Sequence, residues 1–202
     1  MSIHKLTPFY YQQPDVAKVA QSLLGMVLCT RIDKQPLTSG IITETEAYCG
    51  RGDKASHANE GLCTARTETM YRAGGIGYIY LCYGIHHLFN VVTNKKDRPD
   101  AVLIRALKPL DGTRTMLKRR DAEAVTPALT SGPGRLTQAM AVTTELDGID
   151  LTGNTVWIED RGIGLPEDQI TATPRIGVDY AGADAQRPWR FYQSGSRWIS
   201  SK

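Results

Sequence analysis

The stretch from Ile76 to Thr93 limits the fold more than any other part of the chain. Ile76 to Cys82 is aromatic and β-branched, Tyr83-Gly84 fits a two-residue turn, and Ile85 to Thr93 reads as the returning strand. Strands joined by so short a link pair antiparallel. The chain must therefore build an antiparallel ladder with Tyr83 at a hairpin tip. Met26 to Ile32 and Gly40 to Tyr48 predict a second hairpin around a turn containing Asp33, Pro36 and Ser39. Ala101 to Leu107 reads as a buried strand, and Thr155 to Glu159, Arg175 to Val178 and Arg190 to Gln193 as later strands. Helical spacing of Val16, Val19, Ala20, Leu23 and Leu24, between an N-cap at Asp15 and a C-cap glycine at Gly25, predicts a short amphipathic helix. Further helices are expected over Thr113 to Ala124 and Arg135 to Val142, the second entered through Gly132-Pro133-Gly134. Strands and helices mix without regular βαβ alternation. The expected class is α+β, with a curved, mostly antiparallel sheet, flanking helices and a protruding hairpin. Residues 49–75 show no sustained period and predict a long loop of the kind that carries function.

At 202 residues, 41% hydrophobic and 22% charged, the chain is expected to form one globular domain over 1–202, not a disordered or collagenous one. Lys5, Asp15 and Lys18 interrupt the N-terminal region, which offers no apolar core of a signal peptide or membrane span, so a cytoplasmic protein is expected. The 24 basic and 21 acidic residues leave a formal charge of +3, which permits nucleic acid as a partner without requiring it. Three basic groupings stand out: Lys95, Lys96 and Arg98; Lys118, Arg119 and Arg120; and Arg187, Arg190 and Arg197. Cys29, Cys49, Cys63 and Cys82 lack the paired spacing of a zinc or redox motif and read as reduced thiols. Gly74-Gly75-Ile76-Gly77 lacks the third glycine and the following helix of a dinucleotide fingerprint, so no organic cofactor is expected.

Side-chain alternation along 41–50 puts Ile42, Glu44, Glu46 and Tyr48 on one face of a strand. Facing solvent, the two carboxylates are ordinary surface charges. At the floor of a cleft, one of them serves as a general base toward water. Tyr78, Tyr80 and Tyr83 crowd into six residues, with His57 in the preceding loop. Strand tyrosines usually pack across strands, but Tyr83 at a tight tip has no neighbour on its own element. Such a ring suits a wedge that fills the space left by an everted nucleotide.

The run T-E-T-E-A-Y, with His57 eleven residues beyond Glu46, is followed by Y-I-Y-L-C-Y-G-I-H-H-L-F-N at 78–90 and V-L-I-R-A-L-K-P-L-D-G at 102–112. Then come S-G-P-G-R-L at 131–136, R-I-G-V at 175–178 and R-F-Y-Q-S-G-S-R-W-I-S at 190–200. Over nearly its whole length the chain resembles the alkyladenine (3-methyladenine) DNA glycosylase family. The resemblance implies a monofunctional base-excision enzyme in which Glu46 deprotonates the water that attacks the anomeric carbon. It also implies that Arg105 and the main-chain carbonyl of Ile176 hold that water. Tyr48 would stack on one face of the flipped base, and His57 and Tyr80 on the other. Tyr83 would occupy the gap in the duplex, and Asn90 would crowd the exocyclic amine of guanine.

The implied substrates are alkylated or deaminated purines in duplex DNA, among them 3-methyladenine, ethenoadenine and hypoxanthine, and the enzyme would act as a monomer with no obligate protein partner. Stacking returns about 1–3 kcal/mol per base, enough to offset the few kcal/mol of flipping. A cationic lesion leaves readily without a proton donor, whereas a neutral one needs help, for which His57 or a bound water is a candidate. No lysine accompanies Glu46, so no Schiff base and no strand cleavage are expected. Two positions depart from the pattern: Thr64-Ala65-Arg66 where the family often has Thr-Pro-Arg, and Ile85-His86 where it often has Met after Tyr-Gly.

Three other readings remain at this point. Gly132 to Thr137 resembles the phosphate-binding turn of helix-hairpin-helix glycosylases, with Asp147 or Asp150 as the acid. A non-catalytic nucleic-acid or nucleotide binding module would use the tyrosines for stacking alone. A metal site would have to draw on His57, Cys63, His86 and His87, of which the last two point to opposite faces of a strand.

Overall fold

The computed structural model describes residues 3–33 and 35–201. Its nine strands are β1 (His4–Lys5), β2 (Val27–Thr30), β3 (Thr38–Tyr48), β4 (Gly77–Cys82), β5 (His86–Thr93), β6 (Asp100–Pro109), β7 (Val156–Asp160), β8 (Ile170–Thr173) and β9 (Arg190–Gln193). They form one antiparallel sheet in the order β1-β7-β2-β3-β6-β5-β4, with β9 joined to β3 and β8 to β9. Both expected hairpins are present. Four short helices flank the sheet: α1 (Pro8–Tyr11), α2 (Val16–Ser22), α3 (Thr113–Arg120) and α4 (Pro133–Met140). None of the described helices is long and apolar enough to cross a membrane.

The centre of the design is β3, which changes partners along its length. Residues 38–41 pair with β2, residues 44–46 pair with β9, and β6 runs along the opposite edge from Gly40 to Tyr48. The switch coincides with a register shift between Ile42 and Glu44, a β-bulge that bends the strand and curls the sheet. The bulge also resets the alternation. Thr43 and Glu44 both reach the C-terminal segment, through Trp198 and Ser200, while Thr45 bonds the carbonyl of Ala20 in α2. Glu44, Glu46 and Tyr48 therefore share a face as expected, but Ile42 leaves it and joins the main apolar core.

Local chemistry explains the helices. The Asp15 carboxylate accepts from the amides of Ala17 and Lys18, both at 3.1 Å, capping α2. Val16, Val19 and Ala20 of α2 and Leu136, Ala139 and Met140 of α4 are buried in the same core as Phe89, Ile104 and Leu107 of the sheet. α3 and α4 stop before the expected ends at Ala124 and Val142, because Asp121 and Ala141 adopt left-handed conformations there.

One expected strand is absent. Arg175 to Val178 forms no ladder, since the Arg175 side chain turns inward to an ion pair and Gly177 adopts φ +77°. The strand of that region is β8, just before the expected one. Within 49–75 the chain makes only single turns of 3₁₀ helix, at Asn59–Gly61 and Glu68–Tyr71.

Candidate active site

Glu46 has no exposed surface. Its Oε1 accepts from the Ile176 amide at 2.7 Å, and its Oε2 accepts from the Tyr48 hydroxyl at 2.7 Å and Arg105 Nη1 at 3.0 Å. Behind it lies Glu44, also fully buried, which accepts from Arg105 Nε (3.1 Å), Arg190 Nε (2.7 Å), and the amide and hydroxyl of Ser200. Two carboxylates and two guanidiniums thus cancel. That balance matters, because an isolated buried charge costs several kcal/mol. Burial works against the charge on Arg105, but Glu46 and Glu44 outweigh it and raise the pKa, so the guanidinium stays protonated. Burial, reinforced by Glu46, pushes the Tyr48 hydroxyl well above its usual range and keeps it a donor.

Above this cluster opens a cavity of about 190 Å³ lined by Tyr48, His57, Tyr78, Tyr80, Asn90, Arg105 and Ile176, with Tyr83 and Tyr180 beside them. Of the residues that the family resemblance assigns to the site, Tyr48, His57, Tyr80, Tyr83, Asn90, Arg105 and Ile176 converge here, and Glu46 lies beneath the lining, bonded to Tyr48, Arg105 and Ile176. Asn90 stands opposite Tyr78 across the β4–β5 hairpin and donates to its carbonyl at 3.1 Å. The His57 ring packs edge-on to Tyr80 at 4.6 Å between centroids. Burial first, and the charge of Arg66 second, push the His57 pKa down to about 4, so the imidazole is neutral at pH 7.

At the tip, Tyr83 (φ +51°) and Gly84 (φ +73°) both take the positive φ that a two-residue hairpin turn of type I′ needs. A tyrosine in that region is uncommon, and this one is 91% exposed, with Leu81 and Ile85 exposed beside it. The packing that would normally justify a ring here is missing, as a wedge requires.

Several participants were invisible in the sequence. Arg175 lies 4.9 Å from the Tyr48 ring centroid, and its ion pair with Asp53 (2.6 Å) ties the loop after β3 to the segment carrying Ile176. Arg66 lies 5.2 Å from the Tyr80 ring. Ser200 meets Glu44 across 156 positions of sequence. Arg190, grouped by sequence with surface charges, is buried against Glu44. Arg119 of the second basic grouping bonds the Ala139 carbonyl in α4, so it too is partly structural.

The rival sites do not assemble. Asp147 accepts from the Ile79 amide and the Thr69 hydroxyl, and Asp150 caps Thr152. Among the described residues no group of three or more His, Cys, Asp or Glu is placed to hold a metal ion.

Residues 9–197 match the family described as methylpurine-DNA glycosylase. The chain belongs to that family. It is 43% identical to a protein of Bacillus cereus strain Q1 over 96% of this chain and 98% of the relative. It is 42% identical to one of Methanocella arvoryzae (96% and 94% covered) and 39% identical to one of Natranaerobius thermophilus (95% and 97%). Each of the three bears the name "Putative 3-methyladenine DNA glycosylase". As a methylpurine-DNA glycosylase the chain is a DNA-repair protein whose substrate is DNA, and the α+β fold with its curled antiparallel sheet agrees with the expectation from the sequence.

Proposed function

We propose that this chain flips alkylated or deaminated purines, such as 3-methyladenine, ethenoadenine and hypoxanthine, out of duplex DNA. It then hydrolyses the N-glycosidic bond with a water activated by Glu46. The observation that carries this reading is the placement of an anchored carboxylate directly beneath a cavity walled by tyrosines and histidine. A carboxylate offers about four lone-pair sites. Two donors occupy Oε2 and one occupies Oε1, which leaves a site on Oε1, beside Ile176, for the nucleophile. Arg105 and the Ile176 carbonyl steady that water. Tyr48 takes one face of the base, His57 and Tyr80 the other, and Asn90 disfavours guanine. The enzyme works as a monomer, without an obligate protein partner, in the cytoplasm.

Incubating the protein with a duplex that carries one hypoxanthine or ethenoadenine, followed by hot alkali, should break the strand at the lesion. Without alkali the strand should stay intact, and borohydride should trap no protein–DNA adduct, because water and not an amine attacks. An alkali-independent break or a trapped adduct would overturn the hydrolytic mechanism.

Tyr83→Ala should leave folding untouched, since the ring is exposed, but should weaken base eversion. The loss of a stacking wedge worth about 1–3 kcal/mol corresponds to roughly 5- to 150-fold in the flipping equilibrium. Fluorescence of ethenoadenine in the complex reads this directly, and unchanged eversion would remove Tyr83 from the role.

A further inference from the structure

Beside the cavity runs a chain of hydrogen-bonded polar groups. Arg66 Nη2 lies 3.2 Å from His57 Nε2, and His57 Nδ1 lies 3.0 Å from the Tyr78 hydroxyl. Arg66 lines a groove on the far side of Tyr80, together with Ala65, Ile79 and Leu81, and does not line the cavity itself. Tyr78 does line it.

The direction of this chain follows from its first member. A guanidinium has only donors, so His57 Nε2 must accept. The neutral ring then carries its single proton on Nδ1 and donates it to the Tyr78 oxygen. With its oxygen accepting from the imidazole, the tyrosine has its own hydroxyl proton left to give. Arg66 also acts on Tyr78 directly, and as a pure donor it leaves that proton equally free. Burial holds the Tyr78 ionisation up at about 12, so the proton stays on the oxygen at neutral pH. Since the imidazole is neutral there as well, His57 is not the acid for the departing base; besides covering a face of the base, it orients its neighbour.

We propose that Tyr78 is the hydrogen-bond donor of the cavity, aimed at an acceptor on the edge of the bound purine, and that His57 and Arg66 are positioning residues that set the direction of its hydroxyl. The inference rests on the glycosylase reading of the site. Its chemical consequence differs between lesions. When the glycosidic bond of a cationic base breaks, the bonding pair passes to the purine nitrogen and cancels the positive charge. When a neutral base leaves, the same pair makes it an anion, which a donated hydrogen bond stabilises. Tyr78 keeps its proton throughout, and the released anion takes one from solvent. The donor therefore serves neutral lesions selectively.

The test compares single-turnover excision of hypoxanthine and of 3-methyladenine from duplex DNA. For Tyr78→Phe, which retains the ring, hypoxanthine excision should fall by about 100-fold and 3-methyladenine excision by less than about threefold. Arg66→Met should shift the ratio in the same direction. Independently of activity, ¹⁵N spectra of the wild-type protein, assigned with His57→Gln, should show His57 protonated at Nδ1 and bare at Nε2. Equal losses on both lesions, or a proton on Nε2, overturn the proposal. So does a wild-type protein that excises 3-methyladenine but never hypoxanthine. A wild-type protein inert toward every lesion instead overturns the glycosylase reading, a result that the ¹⁵N spectrum does not share.

Discussion

Glu46→Gln should abolish base excision while leaving affinity for lesion-bearing duplex within a few-fold of wild type. The exchange nearly preserves shape, removes the basicity, and takes one negative charge and one acceptor out of the buried cluster. A positioned general base contributes about 10²- to 10⁴-fold, so the single-turnover rate should fall by at least the lower figure. Binding should persist, because the proposed stacking on the rings of Tyr48, His57 and Tyr80 and the proposed insertion of Tyr83 do not need a charge at position 46. Arg105 remains paired to Glu44 through its Nε, at 3.1 Å, and so keeps one carboxylate of its own. A cooperative thermal transition above the assay temperature would confirm that the variant is folded, although Tm should drop because the buried cluster is left one negative charge short. Full excision by the variant would remove Glu46 from the role of general base.

Asp53→Ala should produce the largest loss of stability. Asp53 binds both terminal nitrogens of Arg175, at 2.6 and 2.8 Å, and accepts from the amides of Cys49 and Ala55. Neither side chain of the ion pair has exposed surface. Removing one partner of a buried pair strands the other charge and costs about 3–5 kcal/mol. For a chain of this size that lowers Tm by roughly 6–20 °C. Excision should fall too, because Arg175 packs near Tyr48 and precedes Ile176, whose amide holds Glu46. Asp53→Asn retains amide-accepting capacity and should recover part of the loss. An unchanged Tm for Asp53→Ala would show that the pair contributes nothing to the fold.

The two hairpins, the capped helix α2 and the shared face of Glu44, Glu46 and Tyr48 were legible because each depends on residues close in sequence. Turn residues and period-2 alternation act over a few positions, and Tyr83-Gly84 carries its own conformational preference. What the sequence concealed depends on distant partners. The bulge that sends Ile42 to the core arises where β3 exchanges β2 for β9, a choice made by strands far along the chain. Arg190 looks like one more surface cation until Glu44 receives it, and Arg175 until Asp53 does. Arg66 belongs to a segment without periodicity, so only the folded loop brings it to His57.

The pairing of β3 with β9 also orders events as the protein folds. A hairpin such as β4–β5 closes in about 1–10 μs, because its strands are sequence neighbours. Joining Glu44 to Tyr192 and Glu46 to Arg190 demands closure of a loop that spans most of the polypeptide, which is slow and entropically unfavourable. The β4–β5 hairpin, with Tyr83 at its tip, is thus expected to close before Glu46 and Arg190 are brought together.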